Sequence, residues 1–313
     1  MPSKQYVFPV AGILCGALVW GLIWYPYRVL QETGVSGPLA TLISYLLAMI
    51  CATFMLPGAL RGLHPSVGHR GGEWINPQRI TQPRAGWWVA GLVLSAGWSN
   101  LGYVLAMLHG EVMRVLLLFY LAPLWTILFS YWLLGERLNR HGYMVIALSF
   151  SGAVIMLWEP RLGLPIPQNL SEWIGMTAGM SFALSNVVSR RAAHLNIPAK
   201  TYSVLLGTVL MTLPILGWQG GFLAQMRAVD AGNWLILGLL GITLCAIGYA
   251  VQFGITYLLS NRAMLLFLFE LVVAAISSYF LAGEEMQLRD WAGALLIVSA
   301  SLLSGKLYVS SDT

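Results

Sequence analysis

Apolar residues in this chain run in long blocks separated by short polar connections. The blocks at 112–134 and 263–282 are each close to the ~20 residues a helix needs to cross hydrocarbon. Block by block, the pattern predicts helices near 8–30, 37–57, 86–108, 111–134, 141–158, 171–192, 200–219, 233–258, 262–283 and 290–308. The expected fold class is all-α, a polytopic membrane protein with about ten transmembrane helices. The longest connection, 57–84, holds Pro57, Pro65, Pro77 and Pro83 with several glycines, so it cannot continue a helix and reads as a cytoplasmic loop.

Composition sharpens this picture. The chain is 58% hydrophobic and 9% charged, against roughly 25% charged in an ordinary soluble domain, and a soluble core of this size cannot hide so much apolar surface. Its net charge of +5 does not point to nucleic acid, because the basic residues are scattered through connections and form no stripe. Placement in the membrane explains them better. With the N-terminus inside, twelve of the 17 Lys and Arg fall on cytoplasmic connections, among them Arg137, Arg140, Arg190, Arg191, Lys200 and Arg262. The outer side holds Arg28, Arg114, Arg161, Arg227 and Arg289, so both termini are expected in the cytoplasm, in a cell inner (plasma) membrane. The first apolar stretch is too long for a typical signal-peptide core and serves as the first helix. Cys15, Cys51 and Cys245 fall inside apolar blocks and read as small buried hydrophobes.

Internal repetition organises the helices. Gly12, Gly16 and Arg28 recur at one offset as Gly175, Gly179 and Arg191, while Arg114, Gly135 and Glu136 recur as Arg262, Gly283 and Glu284. Trp87 and Gly91 recur as Trp234 and Gly238. The chain divides into halves at 1–158 and 159–313, each of five helices, and an odd number forces the second half to enter the bilayer upside down relative to the first. Two inverted five-helix repeats are the expected architecture.

Glu270 is the acidic residue deep in an apolar block, within Leu265-Leu266-Phe267-Leu268-Phe269-Glu270-Leu271. Eight residues beyond Arg262 correspond to ~12 Å of helical rise, near the bilayer midplane. A carboxylate there costs several kcal/mol unless it is protonated, paired or hydrated, which makes it a candidate for proton coupling or for binding a substrate amine. Its structural alternative is a protonated side chain bonded to a neighbouring helix.

Other intramembrane polar groups suggest a lining for the path between the repeats. Asn100 and Tyr103 share a face at i, i+3, as do Tyr249 and Gln252, while Phe182 with Asn186 and Ser185 with Ser189 are i, i+4 pairs. Trp20, Trp24, Trp98 and Tyr120 add rings that can stack on flat or cationic solutes. Trp87, Trp88, Trp218, Trp234 and Trp291 read as interfacial anchors. Pro26, Pro123 and Pro214 interrupt apolar blocks, and Pro123 is the hinge candidate. The Gly12/Gly16 and Gly175/Gly179 pairs suit close helix contact.

His64, His69, His109, His141 and His194 lie at predicted loops or helix ends without metal-ligand spacing, and no catalytic or phosphate-loop motif occurs. No cofactor, metal or enzymatic activity is therefore expected. The expected partners are a small-molecule substrate and the lipid bilayer, with a homodimer compatible with the sequence and nucleic acid excluded. A non-transporting membrane sensor or assembly partner is the alternative of another class.

Tyr120-Leu121-Ala122-Pro123-Leu124, followed by Leu133-Leu134-Gly135-Glu136-Arg137-Leu138, resembles the EamA-type domain of the drug/metabolite transporter superfamily. The second half repeats the pattern with Glu270-Leu271 and Gly283-Glu284, where Leu271 stands in place of the family's frequent proline. The resemblance covers nearly the whole chain and implies two EamA-type repeats with cytoplasmic termini, and export or exchange of metabolites by alternating access. The stretch from Tyr120 to Phe129 is also similar to aromatic amino-acid exporters of the superfamily, which points to amino acids or similar metabolites. An aromatic path with a carboxylate equally suits multidrug or organic-cation efflux, as in the related small multidrug resistance proteins.

Overall fold

A computed structural model describes residues 7–56, 85–110, 112–157, 166–193, 195–220, 222–282 and 287–303, and every regular element among them is an α-helix. In order these are α1 (Val7–Glu32), α2 (Gly37–Met55), α3 (Ala85–His109), α4 (Val112–Phe119), α5 (Ala122–Leu134), α6 (Arg140–Leu157), α7 (Leu170–Arg191), α8 (Ile197–Gln219), α9 (Phe222–Ala228), α10 (Ala231–Tyr257), α11 (Ser260–Phe267), α12 (Phe269–Ala282) and α13 (Leu288–Leu303). The connection at 57–84, His64, His69, His194, the Gly283-Glu284 pair and Lys306 lie outside the described residues.

Seven described segments are long and apolar enough to cross a membrane: α1, α2, α3, α8, α10, and the composite segments Val115–Leu134 and Ser260–Leu281. Of the rest, α7 carries Glu172, Arg190 and Arg191, and α13 has 16 described residues. Large apolar side chains point outward along the bundle, with Trp218 92% exposed and Phe280 75% exposed, as a surface bathed in hydrocarbon requires.

Two predicted helices are broken. The block at 111–134 is split at Tyr120-Leu121 into α4 and α5, and the block at 262–283 at Leu268 into α11 and α12. The two breaks stand at the offset that relates Arg114 to Arg262. In the first, Pro123 has no N–H to bond back to the preceding turn, so it takes a first-turn position of α5 instead of a helix interior. In the second, no proline is present; the Leu271 amide instead bonds Leu268 O at 3.1 Å, and Gly21 of α1 packs closely against Val273 and Glu270 O in the first turns of α12. Pro26 and Pro214, by contrast, stay inside continuous helices.

Local chemistry sets several helix starts. Asn169 caps α7 by accepting from the Glu172 amide at 3.0 Å, and Glu172 returns bonds to the Gln168 amide and the Asn169 side chain, both at 2.8 Å. Asp230 caps α10 through the Asn233 amide at 2.7 Å. Asn196 caps α8 through the Ala199 amide at 2.8 Å, with Pro198 in the first turn. That cap corrects the placement of Lys200: it belongs to α8 and is 0% exposed, not a residue of a connecting loop.

Packing is symmetric under exchange of the halves. α1 packs on α10 and α12 as α7 packs on α3 and α5; α2 packs on α10 as α8 packs on α3; α2 meets α8 and α6 meets α13. A Cβ on Gly12 would lie 2.5 Å from Ala250 O, and one on Gly179 would overlap Phe119 O, so both glycine pairs admit a neighbouring backbone. At one end of the bundle Arg191 covers the Trp88 ring at 5.8 Å, His141 approaches Leu303 O at 3.4 Å, and Gly254 abuts Pro9 O. The first turn of α1 and the last of α13 thus share that end. At the other, Thr33 donates to Asn233 at 3.0 Å and Ser36 to Gln225 at 2.8 Å.

Candidate solute-binding site

The second break puts Glu270 in the first turn of α12, where the free amides of a half-helix present partial positive charge. Glu270 is half-buried. The Tyr120 hydroxyl interacts with its carboxylate, and Tyr103 lies close enough to feel its charge. Tyr120 comes from the first break, so the two broken segments deliver their polar groups to one place.

From Tyr120 and Tyr103 a continuous series of ring contacts runs outward. Trp20 meets Phe267 at 5.7 Å between centroids, Phe267 meets Phe182 at 5.3 Å, and Phe182 stacks on Phe119 at 5.6 Å. Phe119 then meets Tyr120 at 5.5 Å and Tyr103 at 5.1 Å. This belt joins α1, α11, α7, α4 and α3 beside a single carboxylate, an arrangement able to hold a cationic or aromatic group through ring faces and charge together. Phe119 and Phe267 were not singled out in the sequence, since apolar rings in apolar runs carry no local signal.

Other candidate residues go elsewhere. Asn100 accepts from Tyr45 at 3.0 Å and donates to Ala96 O at 2.9 Å and Thr208 at 3.1 Å, a closed network among α2, α3 and α8. Trp98 donates to Thr177 at 3.2 Å. Trp24 donates to Ser277 at 3.0 Å, and Ser277 bonds Gly21 O at 2.9 Å, pinning α1 to α12. Gln252 accepts from Ser189, joining α10 to α7. Tyr249 is half-buried on α10, and Asn186 is buried on α7 with its amide nitrogen unpaired among the described residues.

A second polar cluster closes one end of the bundle. The Arg190 Nε donates to Glu136 at 2.6 Å and its Nη1 to Leu258 O; the other Glu136 oxygen accepts from the Ser260 amide at 3.2 Å. Burial pushes the Glu136 carboxyl above the ordinary glutamate range, and Arg190 opposite draws it part of the way back. Buried Lys200 donates to Thr256 at 3.0 Å nearby, and Asn261 donates to Ser130 at 2.9 Å. The capping run Asn196-Ile197-Pro198 is the signal that places Lys200 inside a helix. A groove of about 380 Å³ beside Glu136 is walled by exposed Tyr131 and Tyr143 and does not include Glu270 in its lining. Among the described residues, no three His, Cys, Asp or Glu stand together as a metal site.

Two helical bundles related by exchange, each with a broken helix feeding one carboxylate site, form a transporter architecture, and the model of the EamA-like transporter family matches residues 7–158 and again 169–305. The chain belongs to that family. This EamA-like protein is accordingly a membrane transporter of the drug/metabolite type, with the family domain present twice. An uncharacterized transporter of Archaeoglobus fulgidus is 29% identical over 205 residues, covering 64% of this chain and 70% of its own. Protein RarD of Streptomyces exfoliatus is 24% identical over 295 residues, covering 91% of the EamA-like chain and 84% of its own. A solved structure described as "Crystal structure of protein" superposes with a TM-score of 0.67 at 19% identity, covering 97% of this chain and 98% of that one, a likeness of fold.

Proposed function

We propose that this transporter moves amino acids or similar amine-bearing metabolites out of the cell by alternating access. All ten predicted segments cross the membrane in this reading, with α6, α7 and α13 completing two inverted repeats at 1–158 and 159–313. Both chain ends lie on the cytoplasmic side of a cell inner (plasma) membrane, an assignment supported by the basic residues gathered where α1 begins and α13 ends. The observation that carries the proposal is half-buried Glu270 beside Tyr120 within the aromatic belt. Glu270 receives the solute's amine or a proton, Asn186 offers its unpaired amide to a carboxylate, and Tyr103, Trp20 and Phe182 hold the apolar body. Trp24, Trp98, Asn100 and Gln252 fix helices around the site; Tyr249 completes the lining, and the break before Pro123 serves as a hinge.

Organic-cation efflux is the second reading, favoured by the same ring series because ring faces attract ammonium groups. Purified protein in liposomes, tested with amino acids and quaternary amines at several pH values, decides between them. Glu270→Gln should cut flux at least about tenfold, the loss of one charge-assisted bond. Unchanged flux and unchanged pH dependence in that variant would remove Glu270 from the mechanism.

A further inference from the structure

We infer that Glu136 and Arg190 form an ionic latch that holds one end of the solute path shut, released when the two repeats move apart. This regulation rests on the transporter reading for its consequence on flux; the latch geometry stands independently. Glu136 follows α5 in the first repeat, whereas Arg190 ends α7 and Leu258 and Ser260 form the α10–α11 turn, all in the second. A movement that parts the end of α5 from the end of α7 and from the α10–α11 turn would break these contacts.

Local sequence builds the latch. Gly135 adopts φ 71°, and this left-handed turn lets the Glu136 amide bond back to Ser130 O at 3.2 Å, which directs the carboxylate off α5 and across to its partners. One carboxylate oxygen meets the arginine while the other meets the first amide of α11, where the half-helix end favours negative charge. Arg190 spends a second N–H on the Leu258 carbonyl, tying the same turn from its other side. A lysine would put a single point charge where the planar guanidinium sends separate N–H groups to the two acceptors.

The latch is closed but not welded. The side chains of Arg190 and Glu136 retain 23% and 10% exposure, so water reaches the pair's edge. Burial opposes ionisation of Glu136 in the closed arrangement, so hydration on opening relieves a cost, as a reversible gate needs. Lys200, which donates to Thr256 of α10, is 0% exposed in this closed arrangement.

Spin labels on Arg137→Cys and Ala193→Cys, with Cys15, Cys51 and Cys245 replaced by Ala, read the opening of this end by pulsed distance measurement without any solute. The unmodified latch should give one short population, and Arg190→Ala and Glu136→Ala should each add a population longer by about 5 Å or more. If Arg190→Ala does not fold, Arg190→Lys replaces it and should broaden the distribution likewise. A distribution identical to the parent's in folded Arg190→Ala or Arg190→Lys protein overturns the latch. Liposome flux is the separate arm: if no solute moves in the parent, the transport reading fails while the distance result still judges the latch.

Discussion

Replacing Gly21 by alanine probes whether α1 holds Glu270 in register. A Cβ at Gly21 would lie 2.7 Å from Val273 Cβ, 2.8 Å from its Cγ1 and 2.9 Å from Glu270 O. Carbon contacts are comfortable from about 3.5 Å, so α1 and α12 must part by about 0.8 Å. Overpacking of this kind costs roughly 1–3 kcal/mol, offset in part by about 1 kcal/mol of helix propensity gained over glycine. A net loss near 1 kcal/mol should lower the melting temperature by about 2–4 °C. The larger effect falls on binding. Separating the helices stretches the Trp24–Ser277–Gly21 connection and shifts the first turn of α12, and losing one charge-assisted bond of about 1.5–3 kcal/mol weakens an amine ligand roughly ten- to a hundredfold. Thermal melts of the solubilised protein, alone and against a series of amines, read both quantities. Gly238→Ala is the control, since a Cβ there meets nothing within 4 Å; it should gain up to about 1 kcal/mol and bind as the parent does. Equal melting and binding in Gly21→Ala, or the same losses in Gly238→Ala, would refute the reasoning.

Asn100→Ala should lower stability by about 1–3 kcal/mol through the Tyr45 and Thr208 groups it strands, with solute affinity within about twofold, measured by melting and ligand titration. A large affinity loss at equal stability would return Asn100 to the binding site. Gly135→Ala, forced into a left-handed conformation, should cost about 1–2 kcal/mol in a melt and lengthen the Arg137–Ala193 label distance in part of the population. Glu136 binds its proton more tightly folded than unfolded, so its contribution is complete below the ordinary glutamate range and fades as pH rises through the raised value. Arg190 faces it with a charge of opposite sign to the carboxylate. Melting from pH about 4.5 to neutrality should therefore cost the parent more stability than Glu136→Ala, and parallel curves would contradict the shift.

Apolar block length made the helices legible, because hydrocarbon leaves a spanning chain little choice but helix. The positions of the breaks were not. Leu268 sits in an unbroken apolar run without proline or glycine, and Gly21, packed just beyond it on α12, arrives from a helix far away in sequence. Glu270 and Tyr120 stood out as polar groups in apolar surroundings, and the fold joins them. Asn100 and Tyr103 lie one turn apart on α3, yet Asn100 serves a network with α2 and α8 while Tyr103 lies close enough to Glu270 to feel its charge. Glu136 was visible as half of a repeated Gly-Glu pair, but its partner Arg190 was counted only as a charge for orientation. Contacts between distant helices leave no periodic trace, and both the aromatic belt and the latch are built from such contacts.

The paired interruptions carry one more consequence. Proline is present at the first and absent from the second, so the trait common to the two halves is the interruption of the helix itself, at equivalent positions. Most point substitutions leave the peptide groups as they are. Side chains around the interruptions are therefore free to diverge and retune which solute is selected, while the scaffold that presents them persists.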